Sequence, residues 1–389
     1  MSGLADLADV GRDSKRGGYS RHGFDRAELE LREWFVAEAG RRGLSVQTDR
    51  NGNLWAWWGS PGPDAVITGS HLDSVPGGGA FDGPLGVVSA LEAVDALRAK
   101  GFTPGRPLAV VVFAEEEGGR FGVPCLGSRL LTGTIKPEVA LRLADPVGTT
   151  LAEAVRSAGL DPERFGRDDE ALSRIGCFVE LHVEQGRGLA VPVGVASSIV
   201  AHGRWRFTFS GQGNHAGTTL MSDRRDPMLP ASSLVLAARR IAAGDGRATV
   251  GRIVPNPGGT NVIASTVDVW LDARAGEGAR ELVERISEEA WRAADEEGCQ
   301  LVVREESFSD TVVFDPGLRD ELAGVLGGVP ALPTGAGHDA GILAAHVPAA
   351  MLFVRNPTGI SHAPEEHAEP DDCAAGVVAL ASVLEHLAR

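Results

Sequence analysis

Four short apolar runs constrain this chain most: "DAVITG" (64–69), "PLAVVVFA" (107–114), "CFVELHV" (177–183) and "PAAMLFVRN" (348–356). None alternates apolar with polar residues over its length, and each is bounded by turn residues. Runs of that kind fit strands covered on both faces, which is the situation in a largely parallel sheet. Between the first two lies "PLGVVSALEAVDALRAKG", where Leu85, Val88, Leu91, Val94 and Leu97 recur at helical spacing. Pro84 suits the first helical turn and Gly101 the stop. Strand, helix, strand in that order means an α/β layer. "FDRAELELREWFVAEAGRRG" reads as a further helix stopping at Gly43, and "CAAGVVALASVLEHLAR" as a C-terminal one.

The texture changes between Gly203 and Asp310. "RWRFTFSG" reads as a strand, "DPMLPASSLVLAARRIAAG" as a helix, "ATVGRIV" and "VDVWLDAR" as strands, "ARELVERISEEAWRAADEEG" as an amphipathic helix and "CQLVVREESF" as a strand. The order β-α-β-β-α-β is ferredoxin-like. The expected architecture is therefore an α/β domain with a mostly parallel sheet, residues 1–202 and 311–389, into which an α+β domain, residues 203–310, is inserted. The chain's 389 residues are too many for one small core and match two domains. "RWRFTFSG" is expected at the edge of the smaller sheet, open to pairing with a second copy.

Composition excludes several function classes. A net charge of −16 is a poor match for a phosphate backbone, so nucleic acid is not expected as a partner. No apolar run approaches the ~20 residues that cross a bilayer, and "MSGLADLADVGRDSKRGG" lacks the pattern of a secretory leader. No membrane association and a cytoplasmic location are the expectation. The four cysteines, Cys125, Cys177, Cys299 and Cys373, form no CxxC pair and read as reduced and mostly buried.

In open parallel sheets ligands bind beyond the carboxyl ends of the strands. All four apolar runs reach polar clusters there. The first leads to His71, Asp73 and Asp82 in "GSHLDSVPGGGAFDGPLG", the second to Glu115, Glu116 and Glu117, the third to His182 and Glu184, the fourth to His362. Asp and Gly are ordinary turn residues, and one such cluster would mean little. Four together are hard to assign to turn chemistry. His71, Asp82, Glu117, His182 and His362 make a balanced set of nitrogen and oxygen donors, and one shared carboxylate would complete two adjacent cation sites. These donors favour Zn²⁺, with Mn²⁺, Co²⁺ or Ni²⁺ as alternatives. The glycines let the loop turn so that His71 and Asp82 converge. Glu115 is taken as a solvated acid. His202, His346 and His367 read as structural or exposed, and the tryptophans of "LWAWWG" as packing residues.

The motifs "GSHLDSVPGGGAFDGPLGV", "FAEEEGGRF", "ELHVEQG", "GNHAGTT", "GGTNVIA", "DAR", "GAGHDA" and "GISHAPEE" occur in this order. From about Tyr19 onward the chain resembles the hydantoinase/carbamoylase amidohydrolases, which are aminopeptidase-like dinuclear metal hydrolases acting on N-carbamoyl-L-amino acids, allantoate or related ureido acids. The resemblance implies two divalent metal ions per subunit. His71 and His182 would bind one, Glu117 and His362 the other, and Asp82 would bridge. Glu116 would be the general base, His215 and Asn261 would hold the scissile carbonyl oxygen, and Arg274 would clamp a substrate carboxylate. Gln185 and His338 would line the pocket, and Asp73 would orient the His71 ring from behind. The resemblance further implies a homodimer through the inserted domain, with lid residues reaching the neighbour's metals; the two chain crossings that join the domains, near Gly203 and Asp310, are expected to act as hinges. Three positions depart from the family pattern: Leu220 and Ala264 stand where proline is usual, and His367 where tyrosine is common. None is a proposed ligand.

Two rival readings remain at this stage. One is a metallo-aminopeptidase or dipeptidase on the same scaffold, disfavoured by His182 standing where that group uses a carboxylate. The other is a non-catalytic metal-dependent binding protein, disfavoured by the intact Glu116–Glu117 pair. The positions of Asn261 and Arg274 also carry a geometric condition. A straight strand at ~3.3 Å per residue would put them some 40 Å apart, so the segment is expected to fold into a hairpin near Ser265–Thr266. A surface ion pair is the plain alternative for Arg274.

Overall fold

The computed structural model describes every residue except Met1, Ala243 and Asp245; Ala243, within the expected helix "DPMLPASSLVLAARRIAAG", lies outside the described residues. The chain separates into two compact units, residues 1–199 with 313–389, and residues 200–312.

After a five-residue helix at Ser2–Asp6, the larger unit continues with helix α1 (Arg26–Arg41), whose N-cap Asp25 accepts from the Glu28 N–H. Strands β1 (Ser45–Thr48), β2 (Leu54–Trp58) and β3 (Ala65–His71) follow, then α2 (Pro84–Ala99), β4 (Leu108–Phe113), α3 (Leu126–Thr132), β5 (Ile175–Val183) and β6 (Val193–Ile199). Every residue of β3 and β4 is buried, as unbroken apolar runs require. Leu85, Val88, Leu91, Val94 and Leu97 of α2 are all at most 2% exposed. At ~1.5–3 kcal/mol per buried side chain, that one face anchors the end of the glycine-rich loop far more firmly than a surface ion pair, worth ~0–1 kcal/mol, could.

The smaller unit holds β7 (Ala201–Ser210), β8 (Asn214–His215), α4 (Met228–Ile241), β9 (Arg247–Asn256), β10 (Val262–Ile263), β11 (Thr266–Ala275), α5 (Ala279–Glu296) and β12 (Gln300–Ser309). The strand order is β12-β7-β11-β9, with antiparallel pairing throughout. Ala201, Gly203, Trp205, Phe207 and Phe209 of β7 are buried, and Trp205, Phe207 and Phe209 pack with residues of α4 and α5. The border drawn from sequence at 203 therefore cuts a strand whose alternation begins at Ala201.

Two expectations fail in this unit. "RWRFTFSG" is not an edge strand: β7 lies between β12 and β11, and the edges are β9 and β12. The two β-α-β crossovers interleave, α4 carrying the chain past one strand position that β11 later fills, while α5 returns it to the far side of β7. The hairpin near Ser265–Thr266 also does not form. β10 pairs with β8, whereas β11 pairs with β7 and β9, so Ser265 marks a kink and not a reversal. The Ser265 N–H is satisfied by Asn256 O and its carbonyl by the Gly211 N–H, which lets the chain continue outward.

The chain then returns to the larger unit with β13 (Ala331–Thr334), α6 (Asp339–Leu343), β14 (Ala349–Val354) and α7 (Pro370–Leu387), which packs against α2. The order across the sheet runs β1-β2-β4-β3-β5-β14-β6 and ends on the two-residue strand Val312–Val313, with β13 also paired to β6. β4, β3, β5 and β14 are parallel neighbours, and the antiparallel pairs lie to either side. The four apolar runs are thus four adjacent strands pointing the same way. Replacing Leu91 by Ala should lower the unfolding free energy by ~2–5 kcal/mol. Val378→Ala, on the exposed side of α7, should change it by less than ~0.5 kcal/mol. Denaturant unfolding of both variants checks the contrast.

Candidate metal centre and active site

The carboxyl ends of β4, β3, β5 and β14 deliver Glu116–Glu117, His71, His182 and His362 to one place. The loop after β3 brings Asp82 into the middle. Gly83 has φ +82°, and a Cβ there would lie 2.5 Å from the His71 ring, so only glycine lets Asp82 come this close. Asp82 Oδ1 is 3.5 Å from His71 Nε2 and 3.2 Å from His182 Nε2, while Oδ2 is 3.4 Å from His362 Nε2. His362 Nε2 is in turn 3.3 Å from Glu117 Oε2. The donors therefore fall into two groups sharing one carboxylate: His71, Asp82 and His182, and Asp82, Glu117 and His362.

These residues fit divalent cations on their own chemistry. His71 Nδ1 lies 3.1 Å from Asp73 O, and His182 Nδ1 lies 2.9 Å from Val183 O. Each ring spends its Nδ1 N–H on a carbonyl, which turns both Nε2 atoms towards Asp82, where a cation can take the place of a proton. Both Nε2 atoms are buried and have no hydrogen-bond partner. Ligands ~2.0–2.1 Å from a tetrahedral ion sit roughly 3.4 Å from one another, which is the spacing observed around Asp82.

Electrostatics points the same way. Burial works against a charged His71, but Glu116, Asp73 and Asp82 outweigh it and hold its pKa well above the usual histidine value. Burial likewise opposes ionisation of Asp82, and His182, His362 and His71 overcome it, keeping its carboxyl well below the usual range. Glu117 is pushed up to about 7, first by burial and then by Asp82. Burial, reinforced by Asp339, Glu117 and Asp73 against the opposing charge of His71, raises Glu116 well above an ordinary glutamate. So many carboxylates crowded without solvent form a site built for added positive charge.

Glu116 Oε2 is 3.7 Å from His71 Nε2, and Oε1 lies 3.2 Å from the Cys125 thiol. Asp73 meets the His71 ring through both its carbonyl and its carboxylate. Its carbonyl holds the His71 ring, while its carboxylate, 3.5 Å from Nδ1, accepts from the N–H groups of Glu116 (3.1 Å) and Glu117 (3.0 Å). Gln185 Nε2 lies 2.8 Å from Asp82 Oδ2 and 3.2 Å from His362 Nε2. His338, at the N-terminus of α6, is buried with its ring centroid 4.5 Å from that of His182. Burial and then His182 depress its pKa well below the usual value, so it is neutral there.

Glu115 is not a solvated acid. It is fully buried and accepts from the N–H groups of Gly23, Arg120 and Phe121, each at 2.9 Å. Burial and Asp73 raise its pKa to about 8 despite those donors. Sequence reading also passed over Glu366, which accepts from the Phe81 and Asp82 N–H groups, and over Asp339 and Glu180, two buried acids held by Ser128 and Ser70. A Glu four residues beyond a proposed ligand was the one signal available for Glu366.

In the smaller unit, His215 and Asn261 come together: Val262 pairs with His215, and the Ala216 N–H donates to Asn261 O. Arg274 lies eight residues along β11 from Thr266, at ~3.3 Å per step roughly 26 Å away, at the opposite end of the strand from that pair. Its guanidinium meets Asp272 through Nε (2.8 Å) and Nη2 (3.2 Å).

Residues 67–386 match the model of peptidase family M20/M25/M40. An N-carbamoyl-L-amino acid amidohydrolase of Geobacillus stearothermophilus is 36% identical, the match covering 99% of this chain and 97% of that protein. An allantoate amidohydrolase of Escherichia coli is 32% identical over 98% of this chain and 96% of its own. The crystal structure of an amidase of the hydantoinase/carbamoylase family from Burkholderia vietnamiensis matches with a TM-score of 0.89 at 30% identity, covering 100% of this chain and 96% of that one. With the shared-carboxylate cluster at the ends of its parallel strands, this chain belongs to peptidase family M20/M25/M40, on its hydantoinase/carbamoylase amidohydrolase side.

Proposed function

We propose that the chain hydrolyses the linear ureido C–N bond of N-carbamoyl-L-amino acids or related ureido acids such as allantoate, using two divalent cations. Asp82, placed between three imidazoles, is the observation that carries this reading. His71, His182 and Asp82 would hold one ion, and Glu117, His362 and Asp82 the other, with Zn²⁺, Mn²⁺, Co²⁺ or Ni²⁺ as occupants. When bound, such ions make water more acidic and polarise a carbonyl. Glu116 takes the proton of the attacking water and returns it to the leaving nitrogen. A raised pKa suits a group that must both accept and release a proton. His215 and Asn261 donate to the carbonyl oxygen as it becomes negative, a role typically worth ~3 kcal/mol per donor. Arg274 pairs with the substrate carboxylate through its planar fork. Gln185 and His338 border the pocket. A carbamoyl substrate and one water yield ammonia, carbon dioxide and the free amino acid.

The active enzyme is a homodimer in this reading. His215–Asn261 and Arg274 sit at opposite ends of a straight strand, so one substrate reaches both only if they come from different copies. The unpaired edge β9 and the exposed Met228, Leu229 and Leu236 of α4 supply a surface for the second copy. No helix among the described residues is long and apolar enough to cross a membrane, and the four cysteines are free, in keeping with the cytoplasmic location proposed here.

A panel of N-carbamoyl-L-amino acids, allantoate, N-carbamoyl-β-alanine and dipeptides, read by ammonia release and free amine, tests the substrate class; turnover of dipeptides alone would assign the chain to the peptidase side. Prolonged chelation should abolish turnover, and Mn²⁺, Co²⁺, Ni²⁺ or Zn²⁺ should restore it. Full activity in protein shown to be metal-free rejects the mechanism. Glu116→Gln should keep its metal while kcat falls by ~10² or more; loss of metal instead would exchange the roles of Glu116 and Glu117. Mixed Glu116→Gln and His215→Ala subunits should recover activity towards about a quarter of normal, since half the dimers would then hold one intact site. No recovery in proven heterodimers would return His215 to its own subunit.

A further inference from the structure

We propose that Glu366 is the positioning residue of the two-cation centre, fixing the Asp82 carboxylate so that it faces both ligand groups at once. The inference rests on the two-cation reading above. Glu366 is 5% exposed. Its Oε1 accepts from the Phe81 N–H and the Asp82 N–H, each at 2.9 Å. The Ser361 hydroxyl lies 3.0 Å from Oε2 and 3.3 Å from Asp82 Oδ2, so it bridges the two acids. Among the described residues no lysine or arginine pairs with this buried carboxylate. Its partners are the backbone of the bridging ligand and the side chain that precedes the ligand His362. The approach has been cleared for it: a Cβ at Gly79 would lie 2.3 Å from Glu366 Oε1, so the loop meets the acid through a residue without a side chain.

The geometry has a specific consequence. Asp82 sits on the loop after β3 and His362 on the loop after β14, and Glu366 ties one to the other four residues beyond His362. An Asp82 freed from this clamp turns away from both ligand groups together, because both use the same carboxylate. Loss of His362 removes a donor from one group only. A residue that merely filled space would lower the melting temperature and leave the affinity at both sites unchanged.

The test is direct binding of Mn²⁺ and Zn²⁺ to chelator-treated full-length protein, by calorimetry and equilibrium dialysis, with thermal melting of the metal-free form alongside. Wild type should take up two ions. Glu366→Ala should lose about tenfold or more in affinity for both, as is usual when a group orienting a ligand is removed. Glu366→Gln keeps a carbonyl oxygen for the two N–H groups and should stay within about threefold of wild type. His362→Ala should lose one ion and keep the other. If Glu366→Ala binds two ions as tightly as wild type, whatever its melting temperature, or loses only one, the proposal is overturned. Should Glu366→Ala fail to fold, Ser361→Ala carries the test: it should weaken both sites several-fold, and unchanged affinity at both overturns the proposal. A wild-type chain that binds fewer than two ions would instead overturn the two-cation reading, visibly and before any variant is made.

Discussion

One carboxylate shared among three imidazoles is the constraint around which the larger unit is arranged. Asp82 can stand between His71, His182 and His362 only if the loop after β3 is short of side chains, if α2 pins the loop's far end to the sheet, and if the histidines spend their other nitrogens elsewhere. Each condition has its own residues. Gly83 yields space to the His71 ring, the apolar face of α2 does the pinning, and backbone carbonyls of Asp73 and Val183 take the ring protons. Asp73 connects this arrangement to the acid pair, since its carbonyl holds His71 while its carboxylate holds the backbone of Glu116 and Glu117. His71, Glu116 and Glu117 therefore share a frame, and a shift of β3 moves them together.

How much of this could be read beforehand follows from where the information lies. The parallel strands were legible because burial on both faces leaves unbroken apolar runs, and the candidate cluster was legible because polar residues recur at the ends of those runs. Glu115 was misread because its burial depends on N–H groups from Gly23 and from the loop at residues 120–121, and no local pattern marks those donors. The place of β7 in its sheet was misread for a related reason: strand order is a property of crossovers, and the alternation in "RWRFTFSG" is the same at an edge or in the interior. Ser265 illustrates a third kind of miss. A polar residue that interrupts a strand marks a kink as readily as a reversal, and only the pairing of β10 with β8 decides between them.

The division of labour between the units follows the same logic. Every proposed metal ligand and the base belong to the larger unit, while His215, Asn261 and Arg274 belong to the smaller one. The departures from the family pattern at Leu220 and Ala264 fall in the smaller unit, and His367 lies just beyond the ligand loop.

The sheet order has a consequence for the chain's biosynthesis. β14 lies between β5 and β6, parallel to one and antiparallel to the other, so those two earlier strands never touch through a ladder of their own. Both leave the ribosome before residues 200–312, which make a compact unit by themselves. The slot between β5 and β6 therefore stays open, with backbone groups on both sides unpaired, until residues 349–354 emerge. Non-local pairing of this kind is slow because the loop must close before any contact rewards it. The slot open to misassembly is the one beside β5, which carries His182, and the strand that fills it leads to His362.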